Sequence, residues 1–217
     1  MYDSLSTVSN STVLNETKES TRMALAKGNN PNHPQLGDII KVDPIRDLKA
    51  IKRIKTLLAS KPTHAALFQV GINTAFRASD LLRLTPAHVT GNVITIREQK
   101  TGKVRTVTVN EPTLEALRAL QLHSGIANDV PYFQGQRGTL SVPYVNALVK
   151  SWCRNVGLAG NYGSHTLRKT WGYQMRTAFK VDLPLLMDAF GHASQRQTLT
   201  YLCIEQAEVQ NLYSNAI

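Results

Sequence analysis

Ser164–Leu202 reads SHTLRKTWGYQMRTAFKVDLPLLMDAFGHASQRQTLTYL, and its pattern decides what kind of fold this chain adopts. The spacing predicts three consecutive helices, over about 166–179, 183–190 and 195–203. Asp182 is the expected N-cap of the second, because a short carboxylate accepts from free first-turn N–H groups, and Gly191 is its expected end. Two polar clusters interrupt these apolar runs. His165 and Arg168 lie on one helical face and can converge on one anion. Arg168 offers planar, permanently charged donors suited to phosphate, and His165 a proton site that titrates near neutral pH. Gly191-His192 is the second cluster, and Tyr201 follows nine residues after that His. A tyrosine hydroxyl beside an anion site is a nucleophile that needs no metal. Together these residues point to phosphoryl transfer through a tyrosine.

Outward from this stretch, Ser141 is the expected cap of a helix over 142–156 that Gly157 ends. A loop holding Gly135 and Gly138 precedes it, and before that a helix follows Asn110-Glu111-Pro112 and runs to about Leu122. The strong β signal is a pair of β-branched runs, Val93–Ile96 and Val104–Val109, flanking Gln99-Lys100-Thr101-Gly102-Lys103. That pattern predicts a hairpin with Lys100 near its tip. Ser79–Leu84 reads as a short helical turn, and Thr63–Phe76 as a helix whose small residues Ala66, Gly71 and Thr74 allow close packing. Arg77 sits at that helix's end, with Asp80 near enough to hold its guanidinium. Asp43-Pro44 reads as the N-cap and first residue of a helix with Ile45, Leu48, Ile51, Ile54 and Leu58 inward and Lys49, Lys52, Arg53 and Lys55 in solvent. The expected class is α+β: mainly α with a small antiparallel β-sheet.

A chain of 217 residues suffices for one domain and an appendage. Residues 1–42 are rich in Ser, Thr and Asn and carry the breaker Asn29–Pro34, so they are expected to be flexible or to dock on a partner, with one short helix around 16–27. The folded domain is expected over 43–217. The formal charge is +10 and unevenly placed: residues 1–45 hold four Lys/Arg against five Asp/Glu, and the remainder holds 21 against 10. Such an excess points to a polyanionic partner, with nucleic acid the natural one. Cys153 and Cys203 have no CxxC or His-rich neighbourhood, which argues against a disulfide framework or a zinc site. No apolar run reaches the length of a membrane span, the N-terminus lacks a signal pattern, and cytoplasmic residence is the default expectation.

The order Arg77, hairpin Lys100, His165-x-x-Arg168, Gly191-His192, Tyr201 resembles the tyrosine recombinases, or phage integrase family. The matching segments are AFRASDLLRL, REQKTGKVRTVTV, SHTLRKTWGY and FGHASQRQTLTYL, spread from Ala75 to Leu202. The resemblance implies that family's catalytic-domain fold and site-specific DNA strand exchange without metal or cofactor. It implies that Arg77 and Arg168 clamp the scissile phosphate and that His192 donates to it as well. Lys100 would be the general acid for the leaving 5′-hydroxyl, with Lys103 the competing candidate. His165 would exchange the proton of Tyr201, which attacks, and Asp80 would support Arg77. Lys103, Arg105 and Lys169 are expected to contact DNA, Lys169 standing where many members carry His. The implied partners are double-stranded DNA, further protomers forming a tetramer on two duplexes, and an accessory DNA-bending protein. Glu205–Tyr213 reads as a final amphipathic segment, and the tail Glu205–Ile217 is expected to dock on a neighbouring protomer, the alternative being that it packs on its own core.

Residues 1–42 do not read as the separate helical core-binding domain the family usually carries, so the chain is expected either to be close in size to the short fimbrial-switch recombinases or to be a truncated form. Two rival readings share parts of this pattern. A type IB topoisomerase uses similar chemistry but relaxes supercoils without a specific site. A DNA-binding regulator of the same fold would not cleave, and the complete set of Arg, Lys, His and Tyr argues against it.

Overall fold

Asp47, rather than Asp43, opens the first helix. In the computed structural model, which describes residues 42–204, α1 spans Leu48–Leu58. The Asp47 carboxylate accepts from Lys49 N at 2.8 Å and Ala50 N at 3.1 Å. Asp43 is spent elsewhere: its N–H donates to Asn161 O (2.7 Å) and its carboxylate accepts from Asn161 N (2.9 Å). Ile45 is fully buried and its N–H donates to Thr170 Oγ1 at 2.8 Å. Residues 43–46 thus form an extended strap, because hydrogen bonds to distant segments satisfy this backbone better than another helical turn would. The expectations for residues 1–41 and for the segment after Ile204 lie outside the described residues.

Helix α2 (Pro62–Thr74) carries Pro at its first position, where the missing N–H costs nothing. It ends two residues earlier than the pattern suggested, because Ala75 adopts a left-handed conformation (φ 54°). Arg77 then enters the single turn α3 (Ala78–Leu81), shorter than the expected helical stretch. The sheet has three antiparallel strands in the order β1 (Val89–Thr90), β2 (Val93–Arg97), β3 (Val104–Thr108). The hairpin of β2 and β3 pairs Val93 with Thr108 and Ile96 with Arg105, which turns Ile94 and Ile96 into the core. The two-residue β1 is too short for a periodic signal.

Helix α4 (Glu111–Ser124) is capped by the Asn110 side chain, which accepts from Thr113 N. The glycine loop after it closes as a two-residue ladder, β4 (Gln134–Gly135) with β5 (Gly138–Thr139). Ser141 caps α5 (Val142–Asn155) as expected. The C-terminal elements are α6 (Ser164–Thr177), α7 (Leu183–Phe190) and α8 (Gln195–Leu202), close to the expected spans. Asp182 stands at the N-cap position of α7 but its side chain makes no capping hydrogen bond. Gly191 takes φ 65°, a left-handed cap that favours glycine, and so turns His192 back toward the helix.

The main core gathers around Ile45, Ile54, Phe68, Leu117, Phe133 and Val149, with α2 packed on α4 and α6. A second, smaller cluster of Ala75, Leu186, Phe190 and Leu202 lies under the C-terminal helices. Gly172 makes this cluster possible: a Cβ there would come within 2.6 Å of Phe190 Cε2 and 2.7 Å of Leu202 Cδ2. Among the described residues no helix is long and apolar enough to cross a membrane. Cys153 and Cys203 are free and buried, and burial pushes the Cys153 thiol up to about 12.

Candidate active site

The N-terminal turn of α6 is held from two sides. Ser164 N donates to Asn146 Oδ1 of α5 at 3.0 Å, and Thr166 Oγ1 donates to the Asp43 carbonyl of the strap at 2.9 Å. This anchoring leaves His165 facing solvent and sends Arg168, one turn on, into the protein, where it is 3% exposed. The Arg168 guanidinium is gripped by backbone carbonyls. Nη1 donates to Ala75 O, and Nη2 to Phe190 O at 2.9 Å. Ala75 is left-handed without being glycine, an uncommon state for a residue with a Cβ, and the turn it makes aims this carbonyl at Arg168. The guanidinium also lies over the Phe190 ring, 4.9 Å from its centroid. Burial is the main influence lowering the Arg168 pKa, to about 10, so the group stays cationic at neutral pH.

Phe190 is the hub of the site. Its ring stacks on His192 (centroids 5.1 Å apart, 17° between planes) and meets Tyr201 edge-on at 5.1 Å. His192 and Tyr201 meet edge to face at 5.0 Å, and His192 Nδ1 pairs with Thr198 Oγ1 at 3.1 Å. The Tyr201 hydroxyl is buried and has no hydrogen-bond partner of regular geometry. Desolvation raises its pKa, while the charge of Arg168, a hydrogen bond from that guanidinium and the charge of Arg77 oppose the rise. The two imidazoles shift the other way. His165 is lowered by desolvation first, then by the cations Arg168, Lys169, Arg77 and Lys100, and His192 by desolvation, then Arg168 and Arg77. Both are therefore neutral at pH 7, able to accept a proton.

On the opposite wall, Arg77 Nη1 forms an ion pair with Glu98 Oε2 at 2.8 Å. Asp80, the expected support of Arg77, stands farther off at 3.9 Å. Its Oδ1 accepts instead from Gln99 N at 2.7 Å, and so ties the hairpin to α3. Glu98 also accepts from Thr101 Oγ1 (2.7 Å) and from Arg105 Nη1 (3.4 Å). Sequence reading missed Glu98 and Phe190. A lone acid two places before the hairpin lysine was a visible signal for Glu98, whereas nothing in the pattern set Phe190 apart from other core aromatics.

The remaining candidates divide. Lys100 is exposed at the hairpin tip, close enough for its charge to act on His165. Lys103 and Arg105 line a cleft of about 560 Å³ together with Arg77, Glu98, Trp171 and Gly191. Lys169 departs from its expected place on a DNA-facing surface. It is 6% exposed, with Nζ 3.5 Å from Cys203 Sγ and 4.9 Å from the Tyr201 ring centroid. It lies on the inward face of α6, where the helix packs against α8. Among the described residues no three His, Cys, Asp or Glu side chains gather as a metal-ligand set.

The pocket sets a buried tyrosine hydroxyl among Arg77, Arg168 and His192, and the model of the phage integrase family matches residues 47–208. The chain belongs to the phage integrase family. It is similar to the probable integrase/recombinase YoeC of Bacillus subtilis (strain 168), 28% identical over 176 residues that cover 79% of this chain and 95% of that protein. The fold is that of the XerA recombinase crystal structure, with TM-score 0.66 and 21% identity over 84% of this chain and 65% of that one. It is also that of the XerH site-specific recombinase bound to difH substrate in a pre-cleavage complex, with TM-score 0.61 and 21% identity over 76% of this chain and 51% of that one. This integrase-family chain thus spans nearly all of the Bacillus protein and about half to two-thirds of these two solved recombinases.

Proposed function

We propose that this chain cuts and rejoins double-stranded DNA at specific sites through a 3′-phosphotyrosyl intermediate on Tyr201. The observation that carries the reading is the Tyr201 hydroxyl, buried beside the Arg168 guanidinium with the charges of Arg168 and Arg77 acting on it. A buried hydroxyl set against guanidiniums, with no acceptor of regular geometry of its own, is placed to meet an anion. A phosphodiester supplies that ligand. Its non-bridging oxygens would meet Arg77, Arg168 and His192, and these donors would stabilise the charge that builds on them in the transition state.

The reaction balances without a cofactor. The Tyr201 oxygen bonds to phosphorus, and the bond from phosphorus to the 5′-oxygen breaks. The phenol proton passes to His165, and Lys100 protonates the departing 5′-oxygen. The phosphate's charge also prepares the base. Desolvation first, and then four cations, depress the His165 pKa in the free protein; an entering anion offsets the cations, so its proton affinity rises as substrate binds. A 5′-hydroxyl from another strand reverses the steps, which conserves the phosphoester energy. The DNA-bound state of XerH, whose fold this chain shares, supports DNA as the substrate. A tetramer on two duplexes, aided by a DNA-bending protein, belongs to the same reading by family resemblance.

The test is a nicked suicide duplex in EDTA, with adducts mapped by mass spectrometry. The expected product is a 3′-phosphate ester of Tyr201. Tyr201→Phe should bind DNA and form no adduct; an adduct that persists in it removes the assignment.

A further inference from the structure

Glu98 is a buried acid of the site for which strand transfer has no use. It is 8% exposed and sits among cations. Both of its carboxylate oxygens are engaged. Oε2 faces Arg77 Nη1 at 2.8 Å and accepts from Thr101 Oγ1 at 2.7 Å, while Oε1 faces Arg105 Nη1 at 3.4 Å. Its backbone builds the turn as well: Glu98 N donates to Lys103 O, and Gly102 N to Glu98 O, both at 2.9 Å. Lys100 lies inside that closed turn. Burial alone would raise the Glu98 pKa, but the Thr101 hydroxyl and the two guanidiniums override it, so the carboxylate stays ionised.

A second carboxylate waits beside Arg77. Asp80 is fully buried, and its Oδ2 has no hydrogen-bond partner although Arg77 Nη1 is 3.9 Å away. Arg77 therefore has two carboxylate seats, one occupied and one open. A carboxylate bridging two guanidiniums presents the same charge and the same planar pair of acceptors that a phosphodiester would bring. We propose that Glu98 occupies the phosphate seat of Arg77 and Arg105 in the DNA-free protein and yields it to the entering phosphate, with Asp80 receiving Arg77 as it turns. Oε2 is shared with Thr101, so the exchange is felt at the turn that carries Lys100. Glu98 is thus a positioning residue that links phosphate occupancy to the general acid. This rests on the strand-transfer reading of the site.

The experiment has two arms. In the first, Glu98→Gln is made in the Tyr201→Phe chain, which cannot react, and binding to a duplex is measured across salt concentrations. Gln still accepts from Thr101 but no longer neutralises the arginines. The expected result is binding about five- to tenfold tighter at low salt, with the slope of log affinity against log salt steeper by about one. Affinity unchanged or weaker would overturn the proposal. In the second arm Thr101→Val, in the reactive chain, cuts the link from Glu98 to the turn and keeps all charges. It should cleave a normal phosphodiester about ten- to hundredfold more slowly and regain speed on a 5′-bridging phosphorothiolate, whose leaving group needs no proton. Equal slowing on both substrates would sink the coupling, because a merely structural defect behaves that way. If Glu98→Gln does not fold, the second arm decides. If the unmodified chain forms no adduct on either substrate, the strand-transfer reading fails, and the binding arm still judges Glu98 by itself.

Discussion

Replacing Gly172 by Ala asks whether the packing beneath Tyr201 sets the reaction geometry. The added Cβ would lie 2.6 Å from Phe190 Cε2 and 2.7 Å from Leu202 Cδ2. Carbon atoms in good contact are about 3.5–4.0 Å apart, so α7 and α8 must yield by about 1 Å. Two energies oppose each other. Ala favours a helix interior over Gly by about 1 kcal/mol, whereas overpacking costs about 1–3 kcal/mol. The net loss is about 0–2 kcal/mol, which lowers Tm by at most about 8 °C for a chain of this size. Activity suffers more than stability. The Phe190 ring touches His192 and Tyr201, and its carbonyl holds Arg168 Nη2 at 2.9 Å. One displacement therefore moves three groups that must converge on one phosphorus, and a misplacement of about 1 Å costs up to about 100-fold in rate. The assay is single-turnover adduct formation on the suicide duplex, with a melting curve beside it. The expected result is a rate lowered about ten- to hundredfold with a modest drop in Tm. A variant that melts earlier yet reacts at the parental rate would refute the view that Phe190 transmits packing into catalysis.

Three other outcomes follow from the geometry. Lys100→Ala should slow cleavage of a phosphodiester and recover on the 5′-bridging phosphorothiolate, while Lys103→Ala should show no such recovery; the opposite pattern would exchange their roles. Asp47→Ala should cost about 1 kcal/mol through loss of the α1 cap. Asp43→Ala should instead loosen the strap, and urea denaturation of the two variants separates the effects. The pH dependence comes from histidines whose folded pKa values lie below 6.5, namely His64, His88, His165 and His192. Below that value the unfolded chain binds more protons than the folded one, so stability is full above it and is lost as pH falls. At sub-saturating DNA, where the rate of adduct formation reports the free protein, it should be flat near neutrality and decline only at acid pH as His165 becomes protonated, and a decline beginning above pH 7 under that condition would contradict a lowered His165 pKa.

Local chemistry in the sequence determined much of this protein. The Ser141 cap and the Gly191 helix end, the hairpin around Lys100, and the placing of His165 and Arg168 on one helix depend on residues within about one turn of each other, and such patterns survive in any tertiary context. The order of the motifs led to the family that the comparisons show. What the sequence alone did not determine lies in contacts between distant segments. Asp43 gave up a helix cap for Asn161, and Lys169 turned inward to Cys203 and Tyr201 although its neighbours suggested a surface. The left-handed Ala75 holds Arg168 across 93 positions, and Glu98, one acid among several, stands between two arginines from different elements. These choices were made by tertiary packing because a buried donor or charge takes whichever partner desolvation leaves within reach, and periodicity says which face is inward without saying what waits there.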